Sequence, residues 1–155
     1  MKEKELERLN NLKEIENKIY DDGVEYICGI DEAGRGPLAG PVVVAAVIMP
    51  KDSMIEGVND SKKVSEKKRE ALYDQIINEA IAYSVGIIDQ KEIDEINILN
   101  ATKKGLNTAI KGLNVRPRKD YCWRIRKDRH RRNSIYIYNK RRCKMLFYCS
   151  SINYS

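Results

Sequence analysis

Residues 41–49 read PVVVAAVIM, a run with no polar position anywhere in it. A strand with one face in water alternates polar and apolar side chains. This run does not alternate, so as a strand it has no wet face and must be covered on both sides. Pro41 stands at its start, where a missing N–H is tolerated. A second short apolar run, residues 26–31, precedes it and ends on acids. The glycine-rich turn between the two runs predicts a hairpin. The stretch VNDSKKVSEKKREALYDQIINEAIAY then passes from loop to helix. Ser65 is placed to cap that helix, and Glu66 suits the positive end of its dipole. Leu72, Ile76, Ile77, Ala80 and Ile81 form its apolar face. Residues 82–89, AYSVGIID, read as a third strand of alternating character. EINILNATKKGLNTAIKGL follows as a second helix, with Ile98, Leu99, Leu106, Ala109, Ile110 and Leu113 at helical spacing. The order β-β-α-β-α predicts an α/β domain, a mixed sheet with helices packed on it. No internal repeat is evident.

The chain of 155 residues is long enough for one domain with a modest core. Its start, MKEKELERLNNLKEIENKIY, is highly charged and has no apolar h-region, which argues against a secretory signal. It reads as an amphipathic helix with Leu6, Leu9, Leu12, Ile15 and Ile19 on one side, and residues 1–23 are set apart on that basis. No apolar run reaches the roughly 18 residues of a membrane span, so no membrane association is expected. Four cysteines without a CxxC spacing suggest neither a zinc site nor a disulfide framework, and a cytoplasmic location follows as the default.

Composition breaks near Pro117. Residues 118–155 hold 12 of the 29 Lys/Arg but only 2 of the 23 Asp/Glu, together with most of the aromatics. The net charge of +6 therefore comes entirely from this tail. A basic tail with interleaved aromatics could bind nucleic acid. Its content of Ile, Tyr, Phe and Leu is too high for a plain solvated tail. It also lacks Ala, Gly, Val and Glu altogether, residues whose codons begin with G, which is what an out-of-frame translation tends to produce.

The chemistry-bearing stretch is GIDEAGRGPLAGP, residues 29–41. Adjacent side chains on a strand point to opposite faces, so Asp31 and Glu32 can share a ligand only at a strand end where the backbone bends. Gly34 and Gly36 permit such a bend and let the backbone approach a partner. Two hard oxygen ligands at the mouth of a sheet suit Mg²⁺ or Mn²⁺. Arg35 in the same turn could meet a phosphate or sugar oxygen. The alternative is a solvated acidic turn paired with nearby lysines. DSKK, residues 60–63, could contact phosphate, although such charge runs are more often a solvated helix entry. Cys28 reads as a small buried hydrophobe, and the lone His130, in the tail, is given no role.

GIDEAGRGPLAGPVVVAAVIMP resembles the opening of the type 2 ribonucleases H, the ribonuclease HII family. DSKKVSEKKRE and EIDEINILNATKKGL resemble that family's next two blocks, in the same order. The resemblance covers residues 24–117. It implies a ribonuclease H-like mixed sheet of five strands with flanking helices. It also implies an endonuclease, acting as a monomer on RNA/DNA hybrid duplexes, that cuts the RNA strand and leaves a 3′-hydroxyl and a 5′-phosphate. Four carboxylates of the family hold Mg²⁺ or Mn²⁺ against the scissile phosphate. By resemblance Asp31 and Glu32 are the first two, and Gly34, Arg35 and Gly36 form the turn that senses the ribose 2′-hydroxyl. Ser61 and Lys62, in the second of these blocks, are expected as further substrate contacts.

The other two carboxylates should lie in a VDG or VDA strand end after Pro117 and in a KGDA segment followed by SIAAASIIAKV. Neither occurs in the chain. Permitted codons for residues 140–155, KRRCKMLFYCSSINYS, translate one base later as KGDAKCYSIAAASII. Trp123 has the single codon TGG, which gives glycine in the shifted frame, so the acid of VDA is not recovered without a second irregularity. The expectation is a frameshifted member of the family, with the C-terminal part of the fold missing and two of four carboxylates retained. The rival expectation is a non-enzymatic nucleic-acid binder that uses the basic aromatic tail.

Overall fold

The computed structural model describes residues 2–35, 40–59 and 64–115. The elements run α1 (Glu3–Asp21), β1 (Cys28–Ala33), β2 (Val42–Ile48), α2 (Glu66–Glu79), β3 (Ala82–Ile88) and α3 (Gln90–Gly112). The strands form one sheet in the order β1-β2-β3, and both pairings are antiparallel. A mixed sheet was expected; among the described residues every strand pairing is antiparallel.

The central place of β2 explains its sequence. Val42, Val44, Ala46 and Ile48 join Cys28 and Ile30 of β1 and Leu106, Ala109 and Leu113 from α3 and its C-cap in one core cluster. Ala45 and Val47 face the other way, with Met49, onto Ile55, Val58, Val64 and the α2 residues Leu72 and Ile76. A strand sandwiched between two helical layers has no position left for a polar side chain. Burying a side chain such as Ile76 stabilises the fold by roughly 1.5–3 kcal/mol. Glycine sets the approach of α3. A Cβ on Gly105 would stand 2.7 Å from Val44 Cγ2, closer than packed side chains tolerate.

The boundaries of α3 depart from expectation. Asp89, read as the end of the third strand, instead caps α3, and its carboxylate accepts from the Glu92 N–H at 2.9 Å. The helix then breaks at Asn97 (φ 67°, ψ 159°), whose side-chain oxygen accepts from the N–H groups of Leu99 and Asn100 at 3.1 Å each. Asn97 thus caps a second helical segment, in a positive-φ, extended-ψ conformation outside the left-handed helical region that is otherwise left to glycine. Ser65 does stand at the N-cap of α2, but its side chain makes no capping hydrogen bond. Leu99 and Ile81, expected on apolar faces, are 49% and 38% exposed.

Helix α1 is held by polar contacts as well as by its apolar side. Leu9 is buried and Leu12 and Ile19 are half-buried, while Leu6 is exposed. The Arg8 guanidinium donates to Glu5 Oε2 at 2.7 Å and to the Val58 carbonyl at 2.8 Å. Glu5 Oε1 accepts from the Gly57 N–H at 2.9 Å, and Lys13 donates to the Lys51 and Ser53 carbonyls. Helix and loop are thereby pinned at several points. The hydrogen bonds from Arg8 and from Gly57 hold the Glu5 carboxyl down at about 2. Its contribution is fully present above pH 4.5 and is lost as pH falls towards 2.

Glu16 lies on the same buried side, 8% exposed between Leu12 and Ile19. Burial pushes its carboxyl up to about 7, with Lys13 opposing the shift. The folded chain therefore holds a proton that the unfolded chain releases near pH 4.5, so stability falls as pH rises from 4.5 to 7 and levels off above. Glu16→Gln is expected to flatten this dependence and to stabilise the chain at pH 8 by on the order of 2 kcal/mol. Urea unfolding at pH 5.5 and pH 8 checks it. An unchanged difference between the two pH values in the variant would show that Glu16 is not its source.

Candidate functional site

The hairpin ladder carries both acids. Pairing runs from Cys28↔Ile48 through Asp31↔Ala45 and Glu32↔Val44 to Ala33↔Val43. Opposed residues share a face, so Glu32 lies on the α3 side with Val44, and Asp31 lies on the α2 side with Ala45. Only one further residue, Ala33, separates the acids from the strand's end. The pair thus sits where the sheet stops, the one place where neighbouring positions can turn toward a common ligand.

Gly34 makes the bend. Its φ is +83°, a region that disfavours every side chain, and a Cβ there would stand 2.1 Å from the Pro41 carbonyl oxygen. The first residue of the turn is therefore glycine for two independent reasons, backbone conformation and direct steric exclusion. Beyond it, Arg35 folds back. Its Nη1 lies 3.6 Å from Glu32 Oε1; the Glu32 side chain is only 7% exposed, and that of Arg35 is 48% exposed. This ion pair was not anticipated from the sequence, which pointed Arg35 at phosphate. The available signal was the spacing of three residues across a glycine bend.

Asp31, Glu32, Gly34 and Arg35 all lie among the described residues: the two acids stand on opposite faces near the end of β1, and Gly34 and Arg35 follow in the turn, where Arg35 pairs with Glu32. Gly36, Ser61 and Lys62 lie outside the described residues, as do His130 and the whole basic tail. Cys28 is a buried thiol, as its apolar setting predicted. Among the described residues no three acids, histidines or cysteines are grouped to hold a metal ion. The carboxylate oxygens of Asp31 and Glu32 are hard donors of the kind Mg²⁺ and Mn²⁺ take, and those ions keep several waters besides. Among the described residues no helix is long and apolar enough to cross a membrane.

Comparison with known proteins gives a consistent result. A family model described as Ribonuclease HII matches residues 28–144. The chain is similar to the Ribonuclease HII of Caldicellulosiruptor bescii, 57% identical over 107 residues, covering 69% of this chain and 52% of that protein. The Ribonuclease HII of Caldanaerobacter subterraneus subsp. tengcongensis is 56% identical over 108 residues, covering 70% of this chain and 45% of that protein. Among solved structures, the ribonuclease H2 from Pyrococcus horikoshii OT3 shares 33% identity at a TM-score of 0.53, covering 64% of this chain and 49% of that chain. The chain spans about half the length of the curated relatives it matches.

Proposed function

The chain belongs to the ribonuclease HII family, and from that premise we propose that it descends from a metal-dependent endonuclease cutting the RNA strand of RNA/DNA hybrids to leave a 3′-hydroxyl and a 5′-phosphate. The observation that supports this most is the Asp31–Glu32 pair at the end of β1, followed at once by the Gly34 bend. Mg²⁺ or Mn²⁺, when bound, would supply an activated water and stabilise the leaving 3′ oxygen, and Asp31 and Glu32 are the residues that would hold it. Gly34 and Gly36 let the backbone close on the ribose 2′-hydroxyl, the group that separates RNA from DNA. Arg35, Ser61 and Lys62 steady the phosphates. The working form is a cytoplasmic monomer.

The chain as written is defective. Residues 118–155 carry neither the VDA nor the KGDA block, and a one-base shift over residues 140–155 recovers the second. Residues 24–117 are the in-frame part of the nuclease domain, and residues 118–155 are an out-of-frame tail behind it. Two like-charged acids without their companions hold a divalent ion weakly. The purified 155-residue chain is expected to show no measurable cleavage of a hybrid, whereas a gene with its frame restored yields a hybrid-specific nuclease. Vigorous Mn²⁺-dependent cutting by the 155-residue chain would overturn the defect. A fresh nucleotide read across codons 112 to 130 tests the frame itself, and a missing or extra base there is the expected result.

The concentration of basic and aromatic residues after Pro117 favours one other reading, a nucleic-acid binder without catalysis. It requires tight, salt-sensitive binding of DNA or RNA that survives loss of both Asp31 and Glu32.

A further inference from the structure

Glu32 is the more enclosed partner of its ion pair, and a carboxylate side chain that is 7% exposed needs a nearby positive charge. The guanidinium beside it belongs to a residue on the far side of the Gly34 bend, half in water and held at 3.6 Å. That is a long contact, and a half-exposed arginine gives it up at small cost. The same guanidinium and a divalent cation cannot both occupy the approach to Glu32 Oε1 without strong like-charge repulsion.

We propose that Arg35 is a placeholder cation: in the ion-free protein it neutralises Glu32, and divalent metal and Arg35 compete for that carboxylate. Metal arrival then releases Arg35, which becomes available to a substrate phosphate only once the ion is in place. Loading of the ion and grip on the nucleic acid are thereby coupled through one side chain. Arg35 acts as a positioning residue, not a catalytic one. The inference rests on the reading of Asp31 and Glu32 as metal-holding residues.

The test is a Mn²⁺ titration of the whole 155-residue chain, followed by the loss of the free-ion electron paramagnetic resonance signal, in the wild type, Arg35→Gln, Arg35→Lys and Asp31→Asn. Circular dichroism confirms that each variant is folded. Removing the competing charge in Arg35→Gln is expected to tighten Mn²⁺ binding about three- to tenfold. Arg35→Lys keeps the charge and stays near the wild type, and a merely structural role for Arg35 would not divide the two variants in this way. Binding by Arg35→Gln where the wild type shows none also supports the proposal. Equal or weaker binding by Arg35→Gln, alongside a loss in Asp31→Asn, overturns the placeholder and leaves the metal site standing. If Asp31→Asn binds Mn²⁺ as the wild type does, the metal site itself falls and the placeholder falls with it; if no chain binds, Arg35→Gln included, the placeholder alone is overturned, because removing the charge then gains nothing.

Discussion

Gly34→Ala is expected to lower the unfolding free energy by about 3 kcal/mol or more, the largest single-residue stability effect among the described residues of the site. Two contributions combine. A side chain at φ +83° costs about 1–2 kcal/mol from backbone conformation alone. The new Cβ would also lie 2.1 Å from the Pro41 carbonyl oxygen, 3.2 Å from its carbon and 3.4 Å from Val42 Cα. All three atoms are backbone, so no rotamer change relieves the contact. The ends of β1 and β2 must separate, and the Ala33↔Val43 pair that closes the hairpin is the first to be lost. Gly23 provides the control. Its φ is +80°, nearly the same, yet a Cβ there meets nothing within 4 Å. Gly23→Ala should therefore show the conformational cost alone, about 1–2 kcal/mol. Urea unfolding of both variants measures the difference. Equal losses would mean that the hairpin mouth yields freely and that Gly34 is needed only for its backbone angle.

The parts of this fold that could be read in the sequence are those where one physical demand dominates. The run at residues 41–49 could be only a doubly covered strand, and β2 is the central strand with a helix against each face. The hairpin followed from two apolar runs around a glycine-rich turn. Where two signals compete, the reading shifted. Asp89 closed an apolar strand pattern and also opened a helix, with Glu92 three residues on, and the capping role prevailed. Asn97 lies inside an unbroken helical periodicity, so nothing in the pattern of apolar residues marks the break it makes. Glu16 sits in an apolar stripe that periodicity alone would have filled with a hydrophobe. At the site, residue types and order singled out Asp31, Glu32 and Gly34, and the structure sets the two acids near the end of β1 and Gly34 in the bend after it. The pairing of Arg35 with Glu32 depends on how the chain returns after Gly34, a matter of three-dimensional geometry that spacing alone did not specify.

Asp31→Asn, made in a gene whose frame has been restored, is expected to reduce hybrid cleavage by far more than a hundredfold while leaving the fold intact. The carboxylate is half-buried at the strand's end, and its backbone pairing with Ala45 does not involve the side chain. Asparagine preserves size and strand pairing, so unfolding free energy should change by less than about 1 kcal/mol. What it removes is a full negative charge and one hard oxygen donor. Outer partners that merely orient metal ligands cost roughly 10–100-fold when mutated, and a ligand itself should cost more. Glu32→Gln should behave alike in cleavage, with a larger loss of stability because its side chain is buried beside Arg35. Affinity for the duplex, dominated by basic residues, should fall only by the share that release of Arg35 contributes and keep its salt dependence. Cleavage measured on a labelled hybrid, with binding measured on the same duplex in Ca²⁺, separates the two quantities. An Asp31→Asn variant that cuts within tenfold of its parent would remove Asp31 from the metal site, and with it the main support for a nuclease built on this strand end.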